Sequence, residues 1–153
     1  MLFVTISPTE AAQYSYMCIR LKKMLSKMCA ARETLEEIAN TSFDKSFAKC
    51  LYLLASESRQ CENEIRAQVD SLNCINYGDS FIKTKKIRRA NTINGLESIY
   101  TYLEKMYLKS YKKLLTDKQF GNSLKSLMEN HLHVFKSSLT QLRLFDDVQT
   151  VAN

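Results

Sequence analysis

The chain has 153 residues, 45% hydrophobic and 25% charged, a composition that fits one globular domain with a real core and excludes a low-complexity or disordered polypeptide. One proline and three glycines leave few helix breakers, so long uninterrupted helices are the expected form. The net charge is +6, and no stretch approaches the roughly 20 consecutive apolar residues that a membrane-spanning helix needs.

The opening MLFVTISPTE lacks a basic region, and its apolar run is too short for a signal peptide; a cytoplasmic protein without a membrane segment is expected. Ser7-Pro8-Thr9-Glu10 reads as a helix start, with Ser7 as cap, Pro8 at the first helical position and Glu10 as capping-box carboxylate. Helix 1 then runs over about 8–39. Its apolar stripe passes through Tyr14, Leu21, Met28 and Leu35 in seven-residue steps, with Met17/Cys18, Met24/Leu25, Ala31/Arg32 and Ile38 between them.

A break at Asn40-Thr41-Ser42 is too short for anything but an antiparallel hairpin. Thr41 or Ser42 is expected to cap helix 2, over about 42–73, with Asp44 adding charge in its first turn. The helix 2 stripe runs Phe47, Cys50/Leu51, Leu54, Ser58, Cys61, Ile65, Gln68/Val69 and Leu72. The next segment, 74–91, opens with the turn-rich Asn76-Tyr77-Gly78-Asp79-Ser80 and carries the basic residues Lys83, Lys85, Lys86, Arg88 and Arg89. It is long for a link between antiparallel neighbours and suits a crossover along the bundle, leaving helices 2 and 3 parallel. The basic run can attract phosphates or acidic partners, although a solvated connector is the plainer reading. Helix 3 is expected over 92–116 and helix 4 over 123–147, with Gln149 to Asn153 fraying. The fold class is therefore all-α: a single four-helix bundle with a long crossover between helices 2 and 3.

Five cysteines in no C-x-x-C spacing give no support to zinc or haem, and read as small hydrophobic free thiols in a reducing compartment. On helix 3, tyrosines 100, 102, 107 and 111 alternate with lysines 105, 109, 112 and 113. That pattern can bind single-stranded nucleic acid, but at helical spacing it describes core tyrosines with lysines snorkelling to water.

Two long helices, a crossover and two more helices is the ferritin-like arrangement. Helix 2 resembles a particular branch, the ferritin-like domains of the PA2169 type, a family of unknown function. The matching residues are Phe47, Leu54, Ala55, Glu57, Ser58, Arg59, Glu64, Ile65, Val69 and Leu72, and SLTQLRLFDD from Ser138 is similar to the family's closing segment. The resemblance implies the fold and brings no established activity.

A di-iron bundle needs a Glu from each of two helices and Glu-x-x-His from each of the others. Helix 2 offers Glu57 with Gln60 three residues on, helix 4 offers Glu129 followed by Leu132, and both histidines lie on helix 4. Because the stripes of helices 1 and 2 contain no Asp or Glu, a packed core and no cofactor are expected. Glu129 and His133 are the only metal-ligand candidates, belonging to an atypical ferritin-type metal protein or oxidase. Arg32 and Glu57 lie at stripe edges, where they could pair across the bundle, and His131 reads as a core histidine with a hydrogen-bond partner. His133-Val-Phe135-Lys136-Ser137-Ser138 is similar to the phosphoacceptor signature of histidine-phosphotransfer domains, with Ser137 in place of their glycine. It makes His133 a candidate phosphoacceptor. No catalytic constellation appears. The expected role is thus non-catalytic, through homo-oligomerisation or a protein partner rather than nucleic acid or membrane.

Overall fold

Pro8–Thr41 carries no internal breaker and forms one 34-residue helix, α1, in the computed structural model, which describes residues 8–72 and 96–152. The basic run 83–89 and the expected crossover lie outside the described residues. Beyond Thr41 the chain turns within three residues into α2, Lys45–Ser71. Asp44 caps this helix, its carboxylate accepting from the backbone N–H of Ser46 at 2.9 Å and Phe47 at 3.1 Å. Neither Thr41 nor Ser42 performs that role, contrary to expectation. The Thr41 hydroxyl donates back to the Glu37 and Ile38 carbonyls, and that of Ser42 to the Asp44 carbonyl, so neither remains for the α2 N–H groups.

The third rod is not one α-helix. It consists of α3 (Leu96–Leu103), a π-helical turn (Glu104–Lys109) and α4 (Ser110–Leu115). The consecutive residues Met106, Tyr107 and Leu108 are all buried, which a regular helix of 3.6 residues per turn does not achieve on one face. Widening the turn by one residue turns all three inward. The fourth rod, α5, runs Asn122–Ala152, continuing past the expected end near 147. Among the described residues every regular element is helical, and none is long and apolar enough to cross a membrane.

Cross-helix contacts set the directions. Tyr52 of α2 bonds Asn40 of α1, and further along α2 Glu62 meets Arg32, so α1 and α2 are antiparallel. Ser58 meets Tyr107, and one turn on Cys61 interacts with Tyr111, so α2 and the third rod run the same way. Glu57–Ser138 and Glu64–His131 make α5 antiparallel to α2. The core between the rods contains Leu21, Met28, Leu35, Leu51, Ile65 and Leu103, with Phe135 stacked on Tyr107 at 4.3 Å.

Cys29, Cys50 and Cys61 are free thiols, as expected. Cys18 is instead disulfide-bonded. Spacing along a chain does not reveal which thiols meet in space, and the expectation of free thiols fails there.

Candidate functional site

Seven positions on α2, Leu51, Leu54, Ala55, Ser58, Cys61, Glu62 and Ile65, form its buried face in steps of three and four. Glu62 lies on this face with no exposed surface. The expectation of α1 and α2 stripes free of acidic residues is therefore wrong. A stripe drawn through Cys61 and Ile65 also includes the residue four beyond Ser58, and that residue is a glutamate.

A carboxylate without water requires several donors or a counter-charge, and Glu62 has both. Arg32 Nε donates to it at 2.9 and 3.2 Å, Ser58 Oγ at 2.9 Å and Cys29 Sγ at 2.9 Å. Arg66 adds a more distant charge at 3.8 Å. Ser58 in turn accepts a hydrogen bond from the buried Tyr107 hydroxyl at 2.8 Å. The chain of hydrogen bonds through Tyr107, Ser58, Glu62 and Arg32 thus links the third rod, α2 and α1, and Arg32 also donates to Glu36 at 3.2 Å. Arg32 pairs with Glu62 rather than with Glu57, because on these antiparallel helices Glu62 is the residue level with it.

A second polar set lies one turn along. Tyr111 Oη is 2.9 Å from His131 Nδ1, and His131 Nε2 bonds the Glu64 carboxylate. With its proton on Nε2 the ring donates to Glu64 and accepts from Tyr111, which satisfies both nitrogens. His131 is 3% exposed, the partnered core histidine expected of it. Glu57 accepts from Ser138 of α5.

Burial, then the hydrogen bond from Cys29 to Glu62, pushes the Cys29 thiol up to about 11. Burial, then the charges of Glu64, Glu57 and Glu62, takes Cys61 up to about 12. Burial also raises the Tyr107 and Tyr111 hydroxyls above their ordinary range. For Arg32 burial acts downward, but its bonds to Glu62 and Glu36 prevail and hold it above its usual value. At neutral pH these thiols and phenols stay protonated, as donors rather than nucleophiles or bases.

The donor set does not fit a di-metal centre. Both Glu62 oxygens are taken by Arg32, Ser58 and Cys29, and the guanidinium already supplies the positive charge that a metal would bring. Glu64 and Glu57 are turned to His131 and Ser138 instead. Among the described residues no three His, Cys, Asp or Glu side chains are grouped to hold a metal. Glu129 and His133 share an exposed face of α5, and among the described residues no third ligand joins them there.

Sequence reasoning missed this network. The available signals were an arginine beside the α1 stripe and a glutamate at a stripe position of α2, opposite charges that a hairpin brings level. The outer side of the same hairpin is apolar where apolar surface is not expected. Phe43 is fully exposed, and Leu53 and Tyr52 are 57% and 44% exposed. Lys45, Ala48, Lys49, Tyr52 and Leu53 line a shallow groove, and a second depression shares Tyr52 and is bordered by Glu36, Asn40, Ala55, Ser56 and Arg59. Compared with protein-family models, curated proteins and solved structures, the chain matches none, and the geometry alone must carry a reading of its role.

Proposed function

We propose that this chain is a non-catalytic, ferritin-like four-helix bundle that docks a protein partner on the outer face of its α1–α2 hairpin. The shared direction of α2 and the third rod supports a crossover between them. A 27-residue helix rises about 40 Å, and residues 72–95, at up to about 3.3 Å each, can span that return. The similarity to ferritin-like domains of the PA2169 type belongs to the same proposal.

The observation that carries the docking role is the exposed Tyr52 and Leu53 that line the α2 groove, with the exposed Phe43 in the turn that leads into α2. Apolar side chains clustered at one end of a hairpin mark an interaction surface better than scattered ones do. Lys45 and Lys49 line the groove. These lysines give the groove a positive edge that acidic residues of a partner would complement. The favoured partner is therefore a protein helix with an apolar stripe flanked by acidic residues.

An amphipathic helical peptide with glutamates beside its apolar stripe should bind in fluorescence anisotropy, and its lysine-flanked analogue should not. Leu53→Ser should abolish binding while leaving the melting temperature unchanged. Equal binding of both peptides, or near-stoichiometric iron or manganese in purified protein, would overturn the proposal.

A second reading has one observation in its favour. His133 is exposed on α5 with exposed Lys136 one turn away, as a phosphotransfer histidine requires. Acid-labile phosphate that disappears in His133→Ala would establish it.

A further inference from the structure

Away from the docking face, α1 and α4 enclose a second feature that neither the core network nor the hairpin uses. Arg20, Lys23 and Lys27 lie three and four residues apart on one face of α1, and Lys113 faces them from α4. Together they border a small, half-open cleft of about 40 Å³. The buried side chains of Met24 and Leu114 line it, and Ser110 contributes a hydroxyl. Lys23 and Lys27 are half-buried rather than extended into water.

Four cations around one small cleft repel each other unless something negative stands among them. Asp117 is the acidic group that approaches, and it is already engaged. Its carboxylate accepts from the Tyr16 hydroxyl at 2.6 Å and from the Gln119 N–H at 3.0 Å, leaving 3.8 Å to Arg20 Nε. Arg20 Nε is buried and makes no hydrogen bond among the described residues. No salt bridge to Lys23, Lys27 or Lys113 is found among the described residues. Burial, then the cations Lys23, Lys113, Arg20 and Lys105, pulls the Lys27 ammonium below its ordinary value. A bundle optimised only for stability would have placed a carboxylate here.

We propose that this cleft binds the phosphoryl group of a small soluble molecule, with Arg20, Lys23, Lys27 and Lys113 surrounding its charge and Ser110 donating a hydrogen bond. A compact, multiply charged oxyanion meets this geometry better than a nucleic-acid strand does. The three α1 cations span only two helical turns, about 10 Å, and a strand needs a groove that follows its backbone. A guanidinium and several ammonium groups together match phosphate oxygens in charge and donor number. The inference does not depend on the docking role, since the residues and the surface differ.

The test uses inorganic pyrophosphate as probe, with calorimetry and thermal melting at ionic strength matched by sodium chloride. Saturable binding and a raised melting temperature are expected for the full chain. Lys27→Met should raise the melting temperature of the unliganded protein, because it removes repulsion, and weaken pyrophosphate binding tenfold or more. The same substitution at Lys112, which is exposed and borders neither the cleft nor the docking groove, should change neither. Phosphatidate vesicles distinguish a lipid headgroup from a soluble ligand: co-sedimentation without any soluble pyrophosphate binding would overturn the proposal. So would a pyrophosphate effect no larger than that of matched salt, or unchanged affinity in Lys27→Met.

Discussion

Replacing Arg32 by methionine keeps the length and much of the apolar stem of the side chain but removes the cation facing Glu62. Glu62 has no exposed surface, and it would lose the two shortest charged contacts it has, at 2.9 and 3.2 Å. Breaking a buried pair from one side costs about 3–5 kcal/mol, because a charge is left without compensation. Ser58 and Cys29 still donate to the carboxylate, and Arg66 stands 3.8 Å away, which places the loss at the lower end, about 3 kcal/mol. In a chain of 153 residues that corresponds to a melting temperature lower by roughly 6–12 °C. The double variant Arg32→Met with Glu62→Leu should recover most of the loss, since apolar replacement of both partners is often close to neutral. Urea unfolding of the two singles and the double gives the coupling energy directly. A loss below about 1 kcal/mol for Arg32→Met, or a double variant as unstable as the sum of the singles, would refute this account of Glu62.

Tyr107→Phe should cost about 1 kcal/mol, because Ser58 keeps its bond to Glu62, whereas Tyr111→Phe should cost about 2 kcal/mol by leaving His131 Nδ1 buried without its donor; urea midpoints rank the two. The folded state holds the thiols of Cys29 and Cys61 up to about 11 and 12, and the phenols of Tyr107 and Tyr111 also above their ordinary range. At alkaline pH the unfolded chain therefore gives up protons that the folded chain retains. Stability from these groups is complete below about pH 9 and falls as pH rises beyond it, and Cys61→Ala should flatten the fall seen in unfolding midpoints between pH 8 and 11. For the same reason, alkylation of Cys61 at pH 8 should be much slower in folded than in unfolded protein, because burial keeps the thiol protonated and covered; mass spectrometry against time measures it. Phe43→Ser should change stability by no more than about 0.5 kcal/mol despite removing an aromatic ring, because that ring is fully exposed.

Particular residues show where reading the chain succeeded and where it stopped. The step of Leu21, Met28 and Leu35 identified the buried face of α1, since all three have no exposed surface. His131 and His133, two residues apart on a helix, had to face different surroundings, and one is buried while the other is exposed. Glu62 was passed over because a charged residue next to a stripe is ordinarily turned to water, and nothing local distinguishes the exception. Its burial depends on Arg32 lying level with it across the hairpin, and that register comes from residues near Asn40 and Asp44. The π turn was equally hidden, for it accompanies the joint burial of Met106, Tyr107 and Leu108, which only tertiary packing sets. Asp44 replaced the expected caps because Thr41 had already spent its hydroxyl on the turn before it.

Periodicity and the scarcity of breakers were enough to give helices, their inward faces and the tight turn joining α1 to α2, because these follow from interactions within a few residues along the chain. The pairing of Glu62 with Arg32, the setting of Tyr111 against His131 and the gathering of Arg20, Lys23, Lys27 and Lys113 around one cleft come from rods meeting side by side. Opposite or like charges on separate helices acquire an energy only when packing fixes their distance and removes the water between them, and neither quantity is written in the order of residues.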